Sequence, residues 1–368
     1  MKTPRLLPFV LLFLLTACAG GEAAAPPEPH AITPQDTPAP APTQPPASPL
    51  AGLVYSAGSA LWQINADGSP ASLAACAQGA ALSPDGTQMV YAGDDYDIYL
   101  LDLATCTRTN ITNSPDTVEL NPQWWPNVTG AVLIGLNPEF DTGKPALIQL
   151  GREGVQLIDP DASPADLPAI SPDGQTLAYA HGGQPILYSL SAGRQALDLA
   201  AFGLDPASIQ RVDSPAWSPD GRSLAWVVAT QQGDDFTTWR IQLLILNLEA
   251  RTSLLLHPYV PLGRGGWPPA PVWSPDGRWL AFNPWVEDIA QTGLVVLAAD
   301  GSEEHTITVT NPQNTWLDQL TPPRWSPDST RLAFALSPAE PIFWWLSLAN
   351  WQPQPLPLPP DAVLIAWR

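Results

Sequence analysis

The chain has 368 residues, with 35 Asp and Glu against 15 Lys and Arg and a formal net charge of -20. This balance argues against nucleic acid, whose binding needs cationic side chains to displace counterions from phosphate, and against broad adhesion to anionic lipid. Hydrophobic residues make up 45%, as in a packed globular protein, and the acidity reads most simply as a solubility device.

The first twenty residues, MKTPRLLPFVLLFLLTACAG, begin with Lys2 and Arg5 and continue into an apolar stretch from Leu6 to Leu15. That stretch is too short to span ~30 Å of hydrocarbon as a helix. It ends at Leu15-Thr16-Ala17-Cys18, which resembles the bacterial lipobox. The resemblance implies cleavage after residue 17 and lipidation of Cys18, leaving the protein outside the cytoplasm and held to a bacterial membrane. Several acyl chains on one residue give stable anchoring. Residues 18–50 are rich in Pro, Ala, Thr and Gln, with almost no large apolar side chain. Such a segment buries too little surface to offset its ordering entropy and is expected to form a tether. At ~3.1 Å per residue in polyproline II it could reach about 100 Å.

From residue 51 the chain repeats itself. Ser83-Pro84-Asp85-Gly86 returns at Ser171, Ser218 and Ser274, and a fifth copy, Ser326-Pro327-Asp328-Ser329, lacks the glycine. A β-type triplet follows each: Met89-Val90-Tyr91, Leu177-Ala178-Tyr179, Leu224-Ala225-Trp226, Leu280-Ala281-Phe282 and Leu332-Ala333-Phe334. Pro presets φ for a turn and Asp-Gly tolerates positive φ, so each copy predicts a strand-turn-strand corner. Trp217, Trp273 and Trp325 each precede a corner and are expected in the core, with Trp124 and Trp367 at matching positions.

The gap from Pro84 to Pro172 is twice the usual interval, and Trp124-Trp125-Pro126-Asn127 fills it as a degenerate copy. The intervals are then 42, 46, 47, 56 and 52 residues. Leu364 to Trp367 reads as one more innermost strand, and residues 52–75 supply three strands without one. The prediction is an all-β fold, a seven-bladed β-propeller over residues 51–368, with the last strand closing the first blade; six or eight blades would need a different assignment of the gap. Closure removes open sheet edges between blades.

The SPDG corner followed by an L-A-[YWF] strand is similar to the WD-like propeller repeat of the TolB family. The resemblance covers residues 51–368 and implies the propeller fold; members of that family usually carry six such blades. It implies little about activity, because this repeat serves transport accessories, peptidases and sensors alike.

The corners should share one face with both chain ends. The opposite face should carry the long loops, where binding residues tend to sit on a rigid scaffold. Its acidic candidates are Asp94, Asp95, Asp234, Asp235, Glu287 and Asp288; its aromatic candidates are Trp239, Trp267, Trp285 and Trp316. Such groups could bind a protein or peptide, and alternatively a carbohydrate or a cation. Their bland reading is as turn formers and inter-blade packing.

No cofactor or metal is expected. Asp159 to Ser163 begins like a calcium loop but lacks its glycine and has Ile170 at the twelfth position. His181, His257 and His305 fall in different blades. No G-x-S-x-G occurs and no nucleophile-base set can be assembled, so catalysis is not expected; a lyase- or glycosidase-type propeller enzyme is the remaining enzymatic alternative. The chain is expected to be monomeric. Cys76 and Cys106 form an even pair outside the cytoplasm, which suggests a disulfide. The predicted topology places them at opposite heights, which suggests two free buried thiols instead.

Overall fold

In the computed structural model every regular element among the described residues is a β-strand, apart from two short 3-10 turns. The described residues are 47–77, 81–114, 117–126, 130–137, 144–149, 155–159, 168–230, 240–261, 270–282, 291–310, 322–335 and 343–368. They form seven four-stranded antiparallel sheets. Each is numbered here as a blade, with strands given from innermost to outermost.

Blade 1 comprises Val363–Trp367, Leu53–Ala57, Ala60–Ile64 and Pro70–Ala74. Blade 2 comprises Ala81–Leu82, Gln88–Ala92, Ile98–Asp102 and Arg108–Asn110, and blade 3 Val118–Trp124, Ala131–Asn137, Lys144–Gln149 and Val155–Leu157. Blade 4 comprises Ala169–Ile170, Thr176–His181, Gln184–Ser189 and Gly193–Ala196, and blade 5 Arg211–Trp217, Ser223–Thr230, Arg240–Asn247 and Thr252–Pro261. Blade 6 comprises Val272–Trp273, Trp279–Phe282, Gln291–Ala298 and Glu304–Thr310, and blade 7 Arg324–Trp325, Arg331–Ala335, Phe343–Ser347 and Gln354–Pro355. The chain's last strand pairs with Leu53–Ala57 as the repeat spacing requires, with Leu53 opposite Trp367 and Ser56 opposite Val363.

The core is seven clusters, one between each pair of successive blades. Val54, Leu61 and Met89 join blades 1 and 2; Val90, Ile98 and Ile134 join blades 2 and 3; Leu133 and Tyr179 join blades 3 and 4. Trp226 and Leu244 pack against Ala178 between blades 4 and 5, and Leu243 against Phe282 between blades 5 and 6. Ala281 and Leu332 meet between blades 6 and 7, and Ala333 and Leu53 close the ring. The second-strand triplet Leu-Ala-[Tyr/Trp/Phe] explains this arrangement: neighbouring strand residues point to opposite faces, so one triplet feeds both flanking interfaces.

The corner sequence encodes its own geometry. Ser83 Oγ donates to Asp85 Oδ1 at 2.6 Å and accepts from Gln88 N at 2.9 Å, while Gly86 sits at φ +74 with its N–H on Ser83 O. The Ser-to-Asp bond recurs at 2.5 Å for Ser171 and at 2.6 Å for Ser218, Ser274 and Ser326. In the fifth copy Ser329 adopts φ +58 in the glycine's place, and its Oγ accepts from Asp276 N of the neighbouring corner at 3.0 Å. The lost glycine is thus partly offset by a bond between blades.

The repeat tryptophans span blades rather than lying sealed in the core. The indole N–H of Trp124 donates to Ala81 O, that of Trp217 to Ala169 O, that of Trp273 to Ala216 O and that of Trp325 to Val272 O, at 2.9–3.1 Å. Each acceptor lies on the innermost strand of the preceding blade. Trp325 is buried, whereas Trp124, Trp217, Trp273 and Trp367 are half-buried. Trp125 at the degenerate corner is also buried and donates to Gly174 O of blade 4. Both ends of the described unit meet on the corner face: Arg368 N donates to Gly52 O, and a Cβ at Gly86 would lie 2.0 Å from Arg368 Nη1.

Cys76 and Cys106 form a disulfide, with Cα atoms 5.7 Å apart. The two-thiol alternative is therefore overturned, and Cys106 is exposed rather than buried. The two heights meet because a blade is not flat. Neighbouring strands rotate by ~20–25°, so the outermost strand is swung strongly across the blade's height. The turn before the fourth strand consequently reaches back onto the preceding blade. Trp351 of blade 7 stacks on His305 of blade 6 at 3.5 Å between ring centroids, and a Cβ at Gly301 of blade 6 would meet Leu256 of blade 5 at 2.9 Å. Cys106 of blade 2 reaches Cys76, just past the outer strand of blade 1, in the same way.

Candidate functional site

Of the ten candidate residues, Asp94 and Asp95 belong to the described structure. Asp234, Asp235, Trp239, Trp267, Trp285, Glu287, Asp288 and Trp316 lie outside the described residues.

Asp94 and Asp95 sit in the turn between the second and third strands of blade 2, on the face opposite the corners. Gly93 N donates to Asp97 O and Tyr96 N to Gly93 O, which closes the turn. A Cβ at Gly93 would fall 2.6 Å from the Tyr99 ring, so only glycine lets that ring lie over the turn. Asp94 is exposed. Asp95 is committed: its Oδ2 accepts from Tyr99 OH at 2.5 Å, and that bond is the main cause holding its carboxyl below the usual range. Arg108 covers the Tyr99 ring at 3.6 Å and also reaches the Tyr91 ring at 5.6 Å, and the two tyrosines stack at 5.7 Å.

Sequence reasoning missed the adjacent Tyr96. It is 45% exposed and held at φ +63. The corresponding turns of blades 1 and 4 place Gly58 and Gly182-Gly183 at positive φ. A bulky side chain in this region is uncommon and costs on the order of 1 kcal/mol or more. An aromatic where relatives within the same chain use glycine was the available signal.

Beneath the tip, buried carboxylates fix the loop to blade 3. Asp97 accepts from Asn110 Nδ2 at 2.5 Å and from Ser114 N at 2.9 Å. Glu119 is fully buried; its Oε1 accepts from Ser114 and from Thr117 Oγ1, and its backbone N–H donates to Tyr96 O. The tip is therefore a rigid projection carrying Asp94 and Tyr96 outward.

Other residues weighed from the sequence have structural work. Asp159 is buried between blades 3 and 4, accepting from Tyr179 OH and from Arg194 Nε at 2.8 Å. Burial and this bond push the Tyr179 phenol well above its ordinary range. His305 is taken up by Trp351 and by Glu303 at 2.6 Å. No group of three or more His, Cys, Asp or Glu side chains suited to a metal occurs among the described residues, and no helix there is long and apolar enough to cross a membrane.

No protein-family model matches the chain, and no curated protein sequence does. Solved structures do share its fold. An oligogalacturonate lyase in complex with manganese aligns with a TM-score of 0.56 at 14% identity, covering 75% of this chain and 79% of that one. A hydrazine synthase of Kuenenia stuttgartiensis aligns at 0.52 and 14% identity, covering 76% and 87%. TolB from Acinetobacter baumannii aligns at 0.47 and 19% identity, covering 68% of this chain and 59% of that one. These likenesses are of fold: the chain is a β-propeller.

Proposed function

We propose that this protein is an extracytoplasmic propeller, anchored through lipidated Cys18, that binds a protein or peptide through its loop face without catalysing a reaction. The observation that carries the binding reading is the blade 2 tip, where Tyr96 is exposed at positive φ beside Asp94 on a buttressed turn. Exposed aromatics on rigid supports are common anchors at interfaces. The location is supported by the lipobox-like segment and by the Cys76–Cys106 disulfide, because disulfides persist in oxidising compartments.

The test is a pull-down from detergent-solubilised membranes with the full chain, with Tyr96→Gly and with residues 229–239 deleted. Tyr96→Gly relieves the backbone, so it should fold at least as well as the parent while capturing less partner. Recovery of the same partner, in the same amount, with all three proteins would sink the loop-face reading. Lipidation is tested separately, by incorporation of a labelled fatty acid that Cys18→Ser should abolish.

A further inference from the structure

Seven innermost-strand positions are equivalent by register, each lying opposite the middle of the second strand: Ala366, Ala81, Gln123, Ala169, Ala216, Val272 and Arg324. All seven are half-buried. Four blades expose the carbonyl at this level on the strand's free edge, where the indole of the next blade caps it. The innermost strand has its other edge paired within the blade, so these positions ring the propeller axis. Five of the seven are Ala or Val, and Ala366, Ala81 and Val272 pack on the clusters between blades; Gln123 and Arg324 are the polar members.

The pattern breaks where Arg324 sits. The indole N–H of Trp367 should cap Arg324 O, but it donates to Ala51 O at 2.9 Å instead. Arg324 leans forward across the junction of blades 7 and 1, and its Nε donates to Leu364 O at 3.3 Å. That is its one hydrogen bond among the described residues, and no carboxylate pairs with it. Its terminal nitrogens are not sealed off: the fully buried side-chain atoms left without a partner are Glu119 Oε2 and Trp226 Nε1. Burial lowers the guanidinium's pKa, the direction expected when no anion compensates it.

A partly enclosed guanidinium with no carboxylate partner among the described residues holds a charge that burial disfavours. It is more notable in a chain of net charge -20, which has acid to spare for pairing. Its planar fork suits oxyanions, with two parallel N–H donors matching two oxygens. We infer that the axial channel holds a binding site for a small oxyanion, a carboxylate or a phosphate, with Arg324 as its anchoring cation. This site is separate from the blade 2 tip and does not depend on it.

The test compares the full chain with Arg324→Met and Arg324→Lys, by thermal unfolding in inorganic phosphate, in succinate and in sodium chloride at matched ionic strength. The parent should show a saturable rise in Tm with phosphate or succinate beyond that with chloride, roughly 5 °C at a hundredfold excess over Kd. Arg324→Met should lose the rise, and its Tm without anion should equal or exceed the parent's. A response to phosphate alone assigns a phosphate ligand, and one to succinate alone a carboxylate. If Arg324→Met does not fold, Arg324→Lys should keep a weaker response, and the parent should broaden the phosphorus resonance of phosphate. Parent and Met variant responding equally, or a parent that responds to neither probe beyond chloride, overturns the proposal.

Discussion

The Cys76–Cys106 staple should contribute strongly to stability, and its contribution can be separated from that of the positive φ at Cys106. The bond spans 30 residues and ties blade 1, the blade assembled from both ends of the propeller, to blade 2. In the chain-entropy treatment a loop of that length stabilises by about 3.6 kcal/mol at 25 °C. For a domain of this size that corresponds to roughly 5 °C in Tm. Cys106 also occupies φ +57, at the turn position where other blades place Gly68, Gly193 and Gly301. Replacing both cysteines by Ala removes the staple and keeps the strain. Cys76→Ala with Cys106→Gly removes the staple and relieves about 1 kcal/mol of the strain. Guanidinium unfolding of the three proteins, under non-reducing conditions, should therefore rank parent, then the Gly pair, then the Ala pair. A parent midpoint unchanged by reductant, with both pairs equal to it, would refute the reasoning.

Other expectations follow from the same bonds. Ser274 is fully buried and its Oγ both donates to Asp276 and accepts from Trp279 N, so Ser274→Ala should cost about 1–2 kcal/mol in chemical denaturation. Gly277 at φ +71 should resist Ala by more than 1 kcal/mol, whereas Ser329→Gly should be close to neutral because the strain it relieves is balanced by the lost bond to Asp276 N. The corner carboxyls of Asp85, Asp173 and Asp220 are held below their ordinary value of 3.8, chiefly by the hydrogen bond from the corner serine. At Asp328 burial acts in the opposite sense, and bonds from Ser326, Thr330 and Arg331 outweigh it. A depressed folded pKa gives stability that is complete above the unfolded pKa and lost as pH falls through the folded one. Thermal unfolding should thus vary little with these groups above about pH 5 and weaken progressively below about pH 4. Asp159→Ala strands both Tyr179 and Arg194 at the junction of blades 3 and 4 and should cost about 2–4 kcal/mol by equilibrium unfolding.

The repeat made the propeller legible in the sequence because its determinants are local. Each corner closes through Ser, Asp and a positive-φ residue within five positions, and each triplet feeds both faces of its blade. The period of the corners then fixed the blade count and the pairing of Val363–Trp367 with Leu53–Ala57. The turn before each fourth strand was also encoded, in the run of Gly68, Cys106, Gly193, Arg251, Gly301 and Trp351, but three of these residues are not glycine and the pattern is faint. What tertiary structure alone decided were contacts that cross blades. Twist accumulated over four strands brings Cys106 to Cys76 and Trp351 to His305. Ring closure turns Trp367 away from its expected acceptor and leaves Arg324 with a backbone carbonyl as its partner among the described residues. Such relations depend on rotations summed over the strands of a whole blade, whereas a sequence displays only the turn chemistry within each step.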